Sequence, residues 1–176
     1  MTLLLKNYSR KRFILKLKWL EKKTAELAYY KWADFEKALK YYTRLLERPL
    51  EPGEHFLFQY QIARSFLKLK KNSQALIEAE KCFFKGISKL EKRKAILLKL
   101  EVLISLKDFS LAEKLIKSAL KDLPEDQDFL RESLAIIYES ENRLSLAVEE
   151  LKQIQNPSSF IEIKIKRLEQ RLKNQP

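Results

Sequence analysis

Alanine recurs in this chain at Ala38, Ala75, Ala112 and Ala147, with gaps of 37, 37 and 35 residues. Each follows a short polar turn, has a leucine or valine beside it, and has an apolar residue four places on: Tyr42, Ala79, Ile116 and Leu151. Self-similarity at this period marks stacked helical hairpins, because a single hairpin cannot bury its apolar face without a neighbour. Such stacks present an extended surface to a partner, which restricts what the chain can do before any motif is sought.

Composition agrees with a helical reading. Two glycines and five prolines in 176 residues leave little strand punctuation, and strong helix formers fill the rest. The expected class is all-α. A hydrophobic fraction of 45% lies in the globular range, so the many charges decorate a folded surface. One domain over residues 1–176 is expected: a basic extension over 1–15, about four hairpins over 16–157, and a capping helix over 158–176. The lone Cys82 cannot form an intramolecular disulfide and points to a reducing compartment. The apolar start is cut short by Lys6, Arg10, Lys11 and Arg12, and no stretch approaches ~20 uncharged apolar residues. A cytoplasmic location is the expectation.

Charge is unevenly spread. Residues 1–100 hold 24 basic and 10 acidic side chains, whereas residues 101–156 hold 7 and 12. The basic half would attract acidic peptides, anionic lipid or nucleic acid over roughly 8–10 Å at ordinary salt.

The hairpins align beneath one another. The first runs from Leu27-Ala28-Tyr29 through Trp32-Ala33-Asp34-Phe35 to Ala38 and Tyr42; the second from Ile62-Ala63 and Phe66 through Lys71-Asn72-Ser73 to Ala75 and Ala79. The third runs from Leu100 and Leu103 through Lys107-Asp108-Phe109 to Ala112 and Ala119; the fourth from Leu134-Ala135 and Tyr138 through Asn142-Arg143-Leu144 to Ala147 and Leu151. Apolar steps of three and four on both sides of a polar turn predict αα-hairpins, with alanine where the two helices cross most closely. Glu51-Pro52-Gly53-Glu54, Gly86-Ile87-Ser88, Pro124 and Pro157 supply the breaks between hairpins. Ser88 with Glu91, and Ser159 with Glu162, have the spacing of a capping box. The segment Phe160–Leu168 alternates at first, so a short strand is the alternative to a capping helix.

In these residues the chain resembles the tetratricopeptide repeat family. Lys107-Asp108-Phe109-Ser110-Leu111-Ala112 through Ala119 to Pro124 is the closest match, followed by Ala33-Asp34-Phe35-Glu36-Lys37-Ala38 with Tyr42. Two glycines common in that family are replaced, one by Ala63 or Ala135 and the other by Lys70 or Lys107. The resemblance implies a right-handed α-solenoid of antiparallel helix pairs with a C-terminal capping helix. It also implies a groove lined by the first helix of each pair, holding a peptide or small protein. Carried over position by position, the partner-binding residues are Lys23, Leu27, Tyr30, Lys31, Tyr60, Arg64, Lys68 and Lys94.

Arg64 and Lys68, four apart on one helical face, are spaced to bracket a carboxylate. A partner with an acidic segment follows from this basic, aromatic half, while Glu132 and Glu139 place carboxylates in the second half to receive a basic end. No catalytic constellation, cofactor loop or metal cluster is visible. His55 stands alone in a Pro-Gly loop, and Cys82 falls at an apolar spacing with no base to activate it. The expected activity is non-enzymatic: an adaptor or scaffold. The alternative is a surface-binding protein for RNA or anionic membrane through its basic half, and self-association through an exposed end remains a third. The segment Arg10–Leu20 carries that alternative, with Phe13, Leu17 and Leu20 on one face; read structurally, this stripe packs on the neighbouring hairpin.

Overall fold

The computed structural model describes the backbone of residues 2–51, 53–86 and 88–174, and the side chains of these apart from 2–11 and 122. Pro52 and Ile87, expected in connections, and the side chains of Lys6, Arg10 and Lys11 lie outside the described set. Among the described residues all regular structure is helical: α1 (Thr2–Tyr30), α2 (Phe35–Leu46), α3 (Glu54–Lys68), α4 (Asn72–Lys85), α5 (Lys89–Ser105), α6 (Phe109–Asp122), a 3-10 turn (Pro124–Asp126), α7 (Gln127–Ser140), α8 (Leu144–Lys152) and α9 (Ser159–Lys173).

The chain forms two compact units, Met1–Val102 and Leu103–Pro176, divided within α5. In the first, α1 packs on α2, α2 on α3 and α3 on α4; in the second, α6 packs on α7, α7 on α8 and α8 on α9. In these pairings each helix meets its successor in sequence, the local pairing that short polar turns dictate.

The alanine register has a backbone cause. Ala33, Lys70, Lys107 and Asn142 adopt φ of 52°, 58°, 59° and 59°, each five residues before one of the four alanines. This left-handed residue ends one helix, and the next residue caps the following one. The amides of Lys71, Asp108 and Arg143 close back onto the carbonyls of Phe66, Leu103 and Tyr138 at 2.9, 2.9 and 2.8 Å, the hydrogen bond of a Schellman-type helix end. In the first turn the bond runs from Asp34 to Ala28 (2.9 Å), one residue longer. Each alanine then makes the first full helical bond of the new helix, to the carbonyls of Asp34, Lys71, Asp108 and Arg143. All four alanines are fully buried; a larger side chain there would overpack the crossing.

Of the four turns, two cap the new helix with a side chain. Asp34 accepts from the Lys37 amide and Asp108 from the Leu111 amide, each at 3.0 Å, satisfying amides that a helix start leaves unpaired. Lys71 and Arg143 hold the same place without an acceptor.

Two clusters form the core of the first unit. Ala25, Ala28, Tyr29, Ala38, Tyr42, Leu45, Phe58 and Ile62 join α1, α2 and α3, while Phe56, Ala63, Ala79, Cys82, Ala95 and Leu98 join α3, α4 and α5. In the second unit Ile116, Leu130, Leu134, Ile137, Leu151 and Leu168 are buried.

Three details depart from the sequence reading or resolve it. Phe160–Leu168 is helical within α9, which packs on α8 and buries Ile161 and Leu168, so the strand alternative falls. The cap of α9 is Ser158, accepting from the Ile161 amide, one residue earlier than the Ser159–Glu162 pairing expected; the Ser88–Glu91 box is formed in both directions, at 2.9 and 3.2 Å. Of the stripe of Phe13, Leu17 and Leu20 only Leu17 is half-buried; Phe13 is 67% exposed and Leu20 54%. The core-facing side of α1 is instead Ala25, Ala28 and Tyr29 with Glu21. Glu21 takes two hydrogen bonds from Arg48 at 2.5 and 2.7 Å, and Lys18 reaches Glu54 and the Pro49 carbonyl at 2.5 and 2.8 Å.

Candidate functional site

A cleft of about 440 Å³ opens in the first unit. Tyr30 at the end of α1 forms one side, and Phe56, Leu57, Tyr60, Gln61 and Arg64 of α3 form its floor. Ser88, Leu90, Glu91 and Lys94, at the start of α5, close it. Of the eight residues expected to bind a partner, the cleft gathers Tyr30, Tyr60, Arg64 and Lys94. Lys23, Leu27, Lys31 and Lys68 are not in its lining; Lys23 pairs with Glu26 at 2.8 Å along its own helix.

Aromatic packing sets the position of Arg64. Its guanidinium lies 5.6 Å from the Tyr29 ring centre and 5.8 Å from that of Tyr60, within cation–π range of both. Tyr60 stacks on Phe56 at 5.7 Å, and Tyr29 meets Tyr30 edge-on at 4.8 Å. The i, i+4 spacing of Phe56, Tyr60 and Arg64 along α3 places all three on one face. Burial raises the phenol pKa of Tyr29 and of Tyr60, an effect the Arg64 charge partly offsets, so both rings are neutral platforms for the cation.

Polar groups in the cleft are biased toward donors. Gln61 donates from Nε2 to the Tyr30 hydroxyl oxygen at 2.5 Å, which leaves the Tyr30 proton for another acceptor. Neither Arg64 nor Lys94 is ion-paired among the described residues. Glu91, the one carboxylate in the lining, accepts from the Ser88 amide. Two buried polar atoms, Gln61 Oε1 and the Tyr29 hydroxyl, have no hydrogen-bond partner, in residues 5% and 7% exposed. Such atoms are uncommon in folded proteins. Sequence reading missed Gln61; its only signal was an amide inside the apolar run of α3.

Groups that could do chemistry lie elsewhere. Cys82 is buried in the α3–α5 cluster, and burial pushes its thiol pKa up to about 12, which suppresses the thiolate. His55 is exposed on the first turn of α3 and does not line the cleft. Among the described residues no group of histidine, cysteine and carboxylate side chains is arranged to hold a metal ion, and no helix is long and apolar enough to cross a membrane.

In the second unit the expected open carboxylate is occupied. Glu139 is met by Lys164, Arg167 and Arg171 of α9 at 3.2, 3.3 and 3.1 Å, so it is not free to receive the basic end of a partner. These cations lie 25 to 32 residues further along the chain, beyond any local pattern. A second cleft, of about 350 Å³, is lined by Ser110, Glu113, Lys114, Lys117, Glu141 and Arg143. Both of its carboxylates are paired: Glu113 with Lys117 and Arg143, and Glu141 with Arg143.

With paired helices, a common turn and buried crossing alanines, the fold is a tetratricopeptide-like helical repeat. A solved structure titled "MamA RS-1 ArsTM double mutant" is similar to it, with a TM-score of 0.61 and 15% sequence identity over 88% of this chain and 84% of that one. MamA contains tetratricopeptide repeats; at this identity the likeness shows the fold alone. No family model and no curated protein matches the chain.

Proposed function

We propose that the chain is a non-enzymatic adaptor: four tetratricopeptide-like hairpins in an α-solenoid, closed by α9, that hold a peptide or small protein through an acidic segment. The observation that carries this reading is the pair of cations in the first cleft, Arg64 and Lys94, unpaired beside the available Tyr30 hydroxyl proton. A carboxylate entering there would gain charge-assisted hydrogen bonds in a site whose walls are aromatic and aliphatic. Arg64 is held in place by Tyr29 and Tyr60, so less side-chain freedom is lost on binding. The fold supports the reading because helical repeats present extended binding surfaces.

The test is a pull-down from the native cell, followed by binding of synthetic peptides from each partner's acidic segments to wild type and to Arg64→Glu/Lys94→Glu. Reversing both charges is expected to weaken an acidic peptide on the order of a hundredfold, chiefly through faster dissociation. Unchanged partners and affinities would remove the cleft from consideration.

A further inference from the structure

The beginning of α1 is unlike every other helical stretch among the described residues. Arg12, Phe13, Ile14, Leu15 and Lys16 are all exposed, which is more than one full turn with no side against the fold. Trp19 and Leu20, just beyond, are 58% and 54% exposed. A helix turn open on all sides is normally polar all round. This one places aliphatic and aromatic side chains at successive positions, pointing in different directions.

We propose that this end of α1 docks the protein on an anionic membrane surface, its cations meeting the headgroups and Phe13, Ile14, Leu15, Trp19 and Leu20 reaching the acyl boundary. Three observations favour lipid over other occupants. Residues 1–20 contain six lysines and arginines and no acidic side chain, which is complementary to an anionic leaflet and opposed to a second copy of itself. The exposed apolar groups include Ile14, Leu15 and Leu20, which need an apolar medium. Single-stranded nucleic acid offers flat faces suited to Phe13 and Trp19 but nothing for those aliphatic chains. Finally, Phe13, Ile14 and Leu15 lie at successive steps around the helix. A partner helix would cover one stripe, whereas the headgroup–acyl boundary receives apolar side chains that leave the helix in several directions.

The anchor is built into the same helix as the cleft, since Tyr30 ends α1. Its membrane-distal part is fastened to the fold by the Lys18–Glu54 and Arg48–Glu21 pairs. Docking of the exposed turns from Arg12 to Leu20 therefore leaves the packed part of α1 in place.

The experiment is vesicle flotation of the full chain with phosphatidylcholine alone and with phosphatidylcholine–phosphatidylserine, at low and at physiological salt. Emission of Trp19 is followed in a Trp32→Phe background, which leaves one indole. Binding to the phosphatidylserine vesicles with a blue-shifted Trp19 is expected. Phe13→Glu/Leu15→Glu/Leu20→Glu is expected to abolish both signals, and Arg12→Glu/Lys16→Glu to lower partitioning by roughly fivefold or more per cation. All five positions are exposed, so circular dichroism of the variants should match wild type. Arg64→Glu/Lys94→Glu, aimed at the cleft, should float like wild type, which separates failure of this proposal from failure of the cleft reading. No flotation at low salt, equal flotation by the triple variant, or a gel shift with single-stranded RNA in place of flotation would each overturn it.

Discussion

The two units use nearly equal turns and unequal surfaces. Residues 1–102 carry 24 basic and 11 acidic side chains; residues 103–176 carry 12 and 13. Of the large apolar residues left exposed among the described residues, fourteen lie in the first unit and four in the second. In the second, Glu113 and Glu139 each collect more than one cation. In the first, Arg64 and Lys94 face an open cleft. The difference teaches that one repeat architecture carries two surfaces, basic and apolar in the first unit and close to charge balance in the second.

The comparison breaks most visibly if the units do not have separate cores. Phe58→Ala removes a fully buried ring from the first unit and is expected to cost about 3–5 kcal/mol. Hydrogen exchange should then lose protection across α1–α4 first, with α7–α9 retaining theirs; simultaneous loss everywhere would show one cooperative block. Next in size is Glu139→Gln, which leaves Lys164, Arg167 and Arg171 facing one another. A loss of about 1–2 kcal/mol in chemical denaturation is expected, while binding at the first cleft is unaffected.

Smaller effects sharpen what the units share. Lys70→Gly in the first and Lys107→Gly in the second relieve the same left-handed strain at exposed turn positions. Each should gain about 0.5–1 kcal/mol; unequal gains would mean that the turns differ energetically despite their common backbone. The smallest effect is a pH dependence present in both units. Burial alone would raise Glu54, but hydrogen bonds from Lys18 and the Glu51 amide outweigh it, so its pKa lies below the usual carboxylate range. Glu113 is lowered first by its hydrogen bond from Lys117, against burial and with help from Tyr138 and Arg143. A carboxyl group depressed by folding stabilises the folded state above its unfolded pKa of about 4.3, and that stabilisation is lost as pH falls through the folded value. Melting temperature should therefore drop between neutral pH and pH ~3, and Lys18→Met should flatten the part due to Glu54.

What the sequence revealed followed from periodicity. The alanines, the turns and the shared face of Tyr60 and Arg64 all follow helical or hairpin spacing, and local backbone chemistry is enough to produce them. The N-cap of α9 was misplaced by one residue because Ser158 and Ser159 are adjacent and only backbone geometry decides between them. Lys94 reached the cleft as expected, but Gln61 and its bond to Tyr30 span 31 residues, a separation at which pairing is a property of the packed fold. The same is true of Glu139 and its α9 cations. Exposure of Phe13 and Leu20 was invisible for a different reason: amphipathic spacing shows that residues share a face, and says nothing of whether another helix is there to meet it.

The left-handed residues at Ala33, Lys70 and Lys107 recur at intervals of 37, each with its alanine five places on. Segments 34–70 and 71–107 are therefore cassettes with matching joints, each opening on a cap and closing on the same backbone bend. Equal length means that copying or exchanging such a segment would keep each alanine five residues after its left-handed turn. Only the side chains facing outward would need to change to suit a new ligand.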